Sequence, residues 1–195
     1  MDFYEAVRVR RMVRNYAEAP VDPAAIERIV DAARRSPSAG HSQGFCFVVV
    51  TDEATRHRIA EIADEPEYVA AGFDPWISRA PVHIVIGTSE EVYRSRYREP
   101  DKSEDGSDMD WPVPYWWVDA GGAMLAVLLA AVAEGLAAGF LGSHTMSELE
   151  ALLGIPDDVA LIGIVTIGHP ATDRRSGSLA RGWRPGVVHH ERWGS

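Results

Sequence analysis

The sequence predicts an α+β protein in which helices pack on a mixed central sheet. Three continuous apolar runs, Phe45–Val50, Val82–Thr88 and Ala160–Gly168, have the β-branched composition of strands that are covered on both faces. A long segment that begins at Asp119 is apolar nearly all round, which is typical of a helix at the centre of a protein or at an interface. Because 195 residues can close one substantial core, we expect a single domain over residues 1–195.

Two helices near the start of the chain are indicated by their capping residues. Asp2 and Glu5 have the spacing of a capping box and predict a first helix that runs to about residue 11. Asp22 at the cap and Pro23 in the first turn predict a second helix, which ends at the Ser-Pro pair of residues 36–37.

Two later helices are predicted in the same way. Asp52 opens a shorter helix that carries Ile59 and Ile62 on one face. Thr145 and Glu148 have the spacing of another capping box, and the leucine-rich helix behind them ends in the sequence Gly-Ile-Pro.

Two segments do not have the pattern of a packed layer. Residues 64–117 are predicted to form a flap. This prediction rests on the sequence of residues 89–117, which combines charged residues, Gly and Pro with a cluster of aromatic residues. Residues 169–195 have no helical period but keep apolar side chains. Such a tail is expected to leave the body of the domain as an extended arm and to pack on a partner subunit.

Composition excludes several function classes. The formal net charge of -10 gives no overall field that would attract nucleic acid or an anionic membrane, so an anion site has to be local. The single cysteine, Cys46, excludes a disulfide within the chain. The first residues lack the apolar core of a signal peptide, and no apolar stretch reaches the roughly 18 residues of a membrane span, so we expect a cytoplasmic protein.

Common catalytic and cofactor motifs are missing. The chain has no G-x-G-x-x-G between a strand and a helix, no P-loop and no G-x-S-x-G nucleophile elbow. The histidines lack the spacing of a zinc site, so we expect no metal.

The strongest positive signal is a cluster of arginines, Arg10, Arg11 and Arg14, at the end of the first helix. A solvated basic turn that complements the negative end of the helix would explain it. The loop at residues 36–43 favours another interpretation, because its hydroxyls, amide and accessible backbone NH groups directly precede a buried strand. Arginines and such a loop can together hold a phosphate and a polyhydroxylated chain.

These motifs resemble those of the FMN-dependent nitroreductase family. The similar N-terminal segments are RRMVRNY (10–16), PAAIERIV (23–30), SPSAGHSQGF (36–45) and CFVVV (46–50). The similar later segments are AAVAEGLAAGFLGS (130–143), LLGIP (152–156), ALIGIVTIGHP (160–170) and the tail from Arg181 to Trp193. The likeness covers nearly the whole chain in order, which makes it more specific than any single motif.

The resemblance implies that FMN lies across a homodimer interface, with the arginine segment on one side. Arg14 is then near the pyrimidine edge of the flavin, where a cation stabilises the anionic reduced ring, and Arg10 is near the ribityl phosphate. Arg11 and Met12 complete this segment. Met12 stands where the family has serine, so it offers a backbone NH and no hydroxyl.

The resemblance also implies contacts from three other segments. Pro37, Ser38 and Ala39 line the flavin from the other subunit, and His41, where the family has asparagine, and Gln43 contact the flavin or brace this loop. Leu141, Gly142 and Ser143 lie beside flavin N5, where small residues let the backbone approach the ring. Arg181 matches the tail arginine that pairs with the phosphate, and Arg184 is an alternative for that role.

The expected activity is reduction of nitroaromatic, quinone or similar electron-poor acceptors by NAD(P)H through ping-pong hydride transfer, with the chemistry on the flavin and no catalytic side chain. Trp76, Tyr115 and Trp116 could stack on an aromatic acceptor, but a buried aromatic cluster at the dimer seam explains them equally well. Reductive dehalogenation, flavin destruction, a deazaflavin donor and a non-catalytic flavin-binding dimer are the alternative functions.

Overall fold

The computed structural model describes residues 1–144, 146–173 and 177–194. The helices are α1 (Phe3–Val9), α2 (Pro23–Arg34), α3 (Glu53–Ile62), α4 (Glu65–Ala70), α5 (Trp76–Arg79), α6 (Glu90–Tyr97), α7 (Tyr115–Ala133) and α8 (Leu149–Leu153). The strands are β1 (Phe45–Val50), β2 (Val82–Thr88), β3 (Ala137–Gly142) and β4 (Ala160–Gly168). Short 3-10 turns occur at Ala39–His41 and Gly177–Arg181.

The four strands form one sheet in the order β1-β2-β4-β3, and each neighbouring pair is antiparallel. A parallel element is supplied by an isolated bridge between Met12 and Ala138. The α+β class with helices flanking a central sheet is therefore confirmed. Full burial, predicted for three strands, holds for β2 and for the part of β4 from Gly163 to Gly168. It does not hold for β1, an edge strand whose Cys46 and Val49 are exposed.

Helices cover both faces of the sheet. One row of paired residues, Val48, Val85, Ile164 and Leu141, crosses all four strands and belongs to a core cluster that includes residues of α3, α5 and α8. The opposite face packs against α2 and α7 in a second cluster, which contains Ile84, Ile86, Val165 and Ile167 from the sheet together with Ile29, Val127 and Leu128 from the helices. Removing these side chains from water is the main source of stability for such a layered domain.

The predicted caps Asp2, Asp22 and Asp52 are confirmed, because each carboxylate accepts a hydrogen bond from a backbone NH in the first turn of its helix. The predicted capping residue Thr145 lies outside the described residues, and α8 begins after Glu148 without a side-chain cap.

The region around α7 differs from the prediction at both ends. The helix begins four residues before Asp119, after Pro114, and it ends at Ala133. Gly135 has a φ of 75°, a left-handed conformation that commonly terminates helices. The predicted helix extends to Ala138, but Ala137 and Ala138 are the first two residues of β3, because this segment pairs with β4.

One face of α7 is apolar but exposed in the single subunit. Trp117, Val118 and Leu125 have 42%, 54% and 47% of their surface accessible. By length and composition α7 could also cross a membrane, which is weak evidence because the core helix of a soluble protein passes the same test. Its other face packs against α2 and the sheet.

The predicted flap, residues 64–117, and the predicted arm, residues 169–195, differ in structure. The flap region contains the predicted strand β2 and also α4, α5, α6 and the first residues of α7. The tail after residue 177 has strongly exposed apolar side chains, with Trp183 at 99% and Trp193 at 91%. Trp193 stacks on His189, with 4.4 Å between the ring centroids, but both tryptophans remain exposed in the single subunit.

Candidate functional site

The arginine segment that follows α1 is an extended stretch held against β3. The NH of Val13 donates to the carbonyl oxygen of Ala138 over 3.0 Å, next to the bridge between Met12 and Ala138. Gly139 permits this approach, because a Cβ at that position would lie 2.4 Å from the carbonyl oxygen of Val13. The segment therefore lies on the edge strand of the sheet in a defined register.

The beginning of the C-terminal arm holds the other side of the same segment. The NH of Ala17 donates to the carbonyl oxygen of His169 over 2.9 Å. Further along, the buried carboxylate of Asp173 accepts from Arg11 Nη1 at 2.6 Å and from the backbone NH of Arg14 at 3.1 Å. The arginine segment is thus enclosed between β3 and the arm.

The three arginines have different surroundings. Arg11 is paired with Asp173, whereas the guanidinium of Arg14 lies over the ring of Trp76, 5.8 Å from its centroid. Among residues 1–144, 146–173 and 177–194, no carboxylate forms an ion pair with Arg10 or Arg14, and neither guanidinium donates a hydrogen bond. Both cations are partly buried, so they are positioned to bind an anionic or electron-rich group.

Trp76, whose ring contacts the guanidinium of Arg14, is fixed in the core of the protein. It is only 2% exposed and belongs to the core cluster beneath the arginine segment. The carboxylate of Glu65, itself buried, accepts from the backbone NH groups of Ile77 and Ser78 at 2.5 Å and 3.1 Å and so caps the helix that carries Trp76. Direct stacking of Trp76 on a substrate does not fit this burial.

A second support comes from the end of the same helix. Arg79 Nη1 donates to Asn15 Oδ1 over 2.6 Å, and Asn15 Nδ2 donates to the carbonyl oxygen of Thr172 over 2.8 Å. Asn15 therefore links α5, the arginine segment and the arm.

The loop at residues 38–43 has an unusual backbone. Gly40, His41 and Gln43 all have left-handed φ angles, of 59°, 57° and 54°. The Ser38 Oγ accepts from the NH of Gln43 over 2.9 Å, which leaves the Ser38 hydroxyl proton to be donated elsewhere. The NH of Ala39 donates to Asp119 Oδ2 over 2.8 Å.

This loop and the arginine segment are not connected within the subunit. In the described part of the chain, no hydrogen bond or ion pair joins residues 37–43 to residues 10–14; the loop contacts α6 and α7 instead. His41 and Gln43 border a surface depression of about 620 Å³ that also includes Phe45. The larger cleft of about 900 Å³ contains none of the predicted site residues.

The end of β3 carries the third predicted segment. Leu141 and Gly142 lie opposite Ile164 and Gly163 of β4, and the Ser143 hydroxyl donates to the carbonyl oxygen of Leu161 over 2.8 Å. Gly142 is four positions after Ala138 along the extended strand, which is a distance of about 13 Å. One strand thus supports both the arginine segment and the glycine that is predicted to lie beside the flavin.

The remaining predicted residues are spread over the surface and the aromatic core. Arg181 and Arg184 are exposed on the arm. Trp116 is 6% exposed and packs against Tyr93 and Trp111, whereas Tyr115 is 44% exposed. In the single subunit only Tyr115, of the three aromatic residues predicted to contact substrate, has an accessible ring.

Several residues that shape this site were missed by sequence reasoning. Asp173 and Asp119 accept hydrogen bonds from the two predicted binding segments, yet each lies about 80 or more positions away from its partners in the chain. The hydroxyl of Tyr93 donates to the same oxygen of Asp119, Oδ2, over 2.9 Å. No local spacing could reveal such long-range pairs. Within the described residues, no group of His, Cys, Asp and Glu side chains is arranged to hold a metal ion.

Comparison with known proteins gives a consistent result. The model of the Nitroreductase family matches residues 7–169. A protein of Archaeoglobus fulgidus, provisionally named NADH dehydrogenase/NAD(P)H nitroreductase, is 27% identical over 191 residues that cover 96% of each chain. FMN reductase (NAD(P)H) of Bacillus subtilis is 29% identical and is matched over 93% of this chain and 70% of its own. Iodotyrosine deiodinase of Nematostella vectensis is 28% identical over 92% of this chain and 71% of its own.

Solved structures share the fold. The hypothetical oxidoreductase YcnD of Bacillus subtilis superposes with a TM-score of 0.75 at 25% identity, over 99% of this chain and 75% of its own. A nitroreductase family protein of Streptococcus pneumoniae superposes with a TM-score of 0.74 at 20% identity, over 98% of this chain and all of its own (100%).

Proposed function

Because the chain belongs to the nitroreductase family, we propose that it is an FMN-dependent oxidoreductase that uses NAD(P)H to reduce nitroaromatic, quinone or similar electron-poor acceptors. That the chain is an oxidoreductase of this family follows from the family match and from relatives that carry nitroreductase and FMN reductase names. The observation that supports FMN is the pair of guanidinium groups of Arg10 and Arg14. Neither forms an ion pair or donates a hydrogen bond in the described part of the chain, and both belong to a segment whose backbone is held between β3 and the arm.

The residues fit this cofactor in charge and in donor type. FMN presents a phosphate, a polyhydroxylated chain and a polar pyrimidine edge. Arg10 matches the phosphate, and Arg14, supported by the Trp76 ring, matches the pyrimidine edge. Arg11 neutralises Asp173, so this carboxylate does not repel the phosphate. Met12 contributes backbone only, and Arg181 or Arg184 supplies a further cation for the phosphate.

A second copy of the chain is proposed to complete the site. The loop that contains Pro37, Ser38, Ala39, His41 and Gln43 is not joined to the arginine segment of its own subunit, so in this proposal it serves the partner. The exposed apolar face of α7 and the uncovered tryptophans of the arm supply surface for such a homodimer.

When bound, FMN would accept hydride from NAD(P)H at N5 and later deliver the electrons to the acceptor, in a ping-pong cycle. The chain itself has to bind and orient the cofactor and to leave one ring face open. Leu141, Gly142 and Ser143 are proposed to lie beside N5; the Ser143 hydroxyl is already bonded to Leu161, so the contact would come from the backbone. Tyr115 is the proposed aromatic contact for the acceptor, since Trp76 and Trp116 are buried. The reducing cytoplasm, which supplies NAD(P)H, is the proposed location.

The decisive experiment is reconstitution. The purified protein is expected to be yellow or to bind added FMN at one per subunit, to behave as a dimer, and to oxidise NADH or NADPH in the presence of a nitroaromatic or quinone under anaerobic conditions. A colourless protein that takes up no FMN would contradict the proposal.

The similarity to iodotyrosine deiodinase supports a second, weaker candidate, reductive dehalogenation on the same flavin fold. Neither NADH nor NADPH would then reduce the bound flavin, whereas chemically reduced protein would release iodide from an iodinated phenol. Flavin destruction, a deazaflavin donor and a non-catalytic flavin-binding dimer remain alternatives; turnover of NADH or NADPH with a nitroaromatic or quinone would distinguish the proposed activity from them.

A further inference from the structure

We propose that Asp119 is a positioning residue, which holds the loop of residues 38–43 in its binding conformation by fastening Ala39 to Tyr93. This inference rests on the proposed function, because the loop is the segment that would contact FMN. It concerns a residue of α7 that belongs to no motif of the binding site.

The loop needs an external restraint. Gly40, His41 and Gln43 all have left-handed backbone angles. For residues with a Cβ this conformation is unfavourable, and it persists only where the surroundings enforce it. His41 and Gln43 are two such residues within three positions.

Asp119 supplies a central part of that restraint. Its Oδ2 accepts two hydrogen bonds, one from the backbone NH of Ala39 at 2.8 Å and one from the hydroxyl of Tyr93 at 2.9 Å. Tyr93 is fully buried, and burial, followed by its hydrogen bond to the Asp119 carboxylate, raises the pKa of the phenol. The phenol therefore stays protonated and donates, and the carboxylate accepts both bonds.

Helix α6 completes the restraint on the loop. The ring of Tyr97 lies where a side chain at Gly40 would be, with 2.7 Å from the ring to the Cβ position, and the ring of Tyr93 does the same at Gly44 with 2.4 Å. Arg96 Nε also donates to the carbonyl oxygen of Gly40 over 3.0 Å. Asp119 thus joins three elements, namely the loop, α6 and α7.

This arrangement determines which groups of the loop remain for a ligand. The NH of Ala39 is used by Asp119 and the NH of Gln43 by the hydroxyl oxygen of Ser38. The loop can then offer the hydroxyl proton of Ser38 and the side chains of His41 and Gln43, whose directions depend on the restrained backbone. Loss of the Asp119 contact should therefore weaken binding by disorienting these groups.

Two measurements on the same set of variants test the proposal. Amide hydrogen exchange of Ala39 in the FMN-free protein reports on the anchoring of the loop, and titration with FMN gives its dissociation constant. In Asp119→Ala, exchange at Ala39 is expected to rise at least tenfold, and FMN affinity to fall about tenfold, because a charge-assisted contact is lost. The circular dichroism of bound flavin should change, since it reports the orientation of the ring.

Conservative variants keep the test informative if Asp119→Ala folds poorly. Asp119→Asn retains one carbonyl oxygen as acceptor and Tyr93→Phe removes one of the two donors, so both should fall between the wild type and Asp119→Ala. The control is Glu134→Ala, which removes the carboxylate at the opposite end of α7, where it pairs with exposed Arg28 at 2.7 Å. It should leave exchange at Ala39 and FMN affinity unchanged.

Two outcomes would overturn the inference: exchange at Ala39 that is the same in all variants, or faster exchange with unchanged FMN affinity. A wild-type protein that binds no FMN would overturn the proposed function and with it the binding role, whereas the exchange data alone would still decide whether Asp119 anchors the loop.

Discussion

Arg11 of the arginine segment forms an ion pair with Asp173 near the start of the C-terminal arm, with 2.6 Å between Arg11 Nη1 and Asp173 Oδ1. The side chain of Asp173 is 4% exposed, whereas that of Arg11 is 37% exposed. The carboxylate also accepts from the NH of Arg14. The arm is therefore fastened to the segment by a buried acceptor and not by a surface ion pair.

Removal of this acceptor should destabilise the protein. In Asp173→Ala the NH of Arg14 loses its partner, and the free energy of unfolding is expected to fall by about 1–3 kcal/mol. Asp173→Asn keeps an acceptor and should lose less. Urea denaturation measures both. Asp31→Ala is the control, since Asp31 pairs with Arg34 and Arg35 at the surface and should show no measurable change. An Asp173→Ala protein as stable as the wild type would contradict this role.

Arg14 should contribute to FMN binding through its guanidinium. Arg14→Ala is expected to lower FMN affinity about tenfold to a hundredfold, whereas Arg14→Lys should restore only part of it, because an ammonium cannot present a planar fork of donors. Fluorescence titration measures the affinity, and size-exclusion chromatography checks that the dimer is intact. Arg8→Ala is the control, because it also removes one cation and the side chain of Arg8 is 74% exposed on α1. Equal FMN affinity in Arg14→Ala and Arg8→Ala would show that Arg14 does not contribute to FMN binding.

His83 should make stability depend on pH. It is fully buried on β2, its Nε2 lies 2.8 Å from the carbonyl oxygen of Ile77, and burial lowers its pKa to about 4. An unfolded histidine has a pKa of about 6.5, so between these values the unfolded state binds more protons. The stabilisation is complete above pH 6.5 and is lost as the pH falls towards 4.

The variant His83→Gln should remove this contribution. The difference in unfolding free energy between pH 7 and pH 4 is expected to be smaller than in the wild type by on the order of 3 kcal/mol. His57→Gln, at an exposed position, is the control. Urea denaturation series at several pH values give the comparison, and parallel pH profiles for wild type and His83→Gln would refute the assignment.

The exposed apolar face of α7 should form a subunit interface. Leu125, 47% exposed in the single subunit, is a suitable position for a charge, because a buried carboxylate without a partner opposes association. Leu125→Glu is expected to give a monomer in sedimentation experiments at concentrations where the wild type is dimeric. Val92→Glu is the control, since Val92 is exposed on α6 among charged residues such as Glu91. A dimer that tolerates Leu125→Glu would place the interface elsewhere.

Local chemistry explains which elements could be predicted from sequence. Asp2, Asp22 and Asp52 cap their helices through bonds to residues two or three positions away, and β2 is apolar because both of its faces lie in core clusters. Helix α6 was missed because it is short and strongly charged, and β3 because its alanines have no strand preference.

The sequence by itself determined the α+β class, most element positions, the family and the segments from which a cofactor site can be built, since each depends on residues that are close together in the chain. Only the tertiary structure decided how these segments are held. It showed that the guanidinium of Arg11 pairs with Asp173 while that of Arg14 does not, that Trp76 is buried beneath Arg14, and that Asp119 accepts a hydrogen bond from the loop at Ala39. The physical reason is that hydrogen bonds and burial depend on distances in space, and residues such as Arg11 and Asp173 are 162 positions apart in the chain.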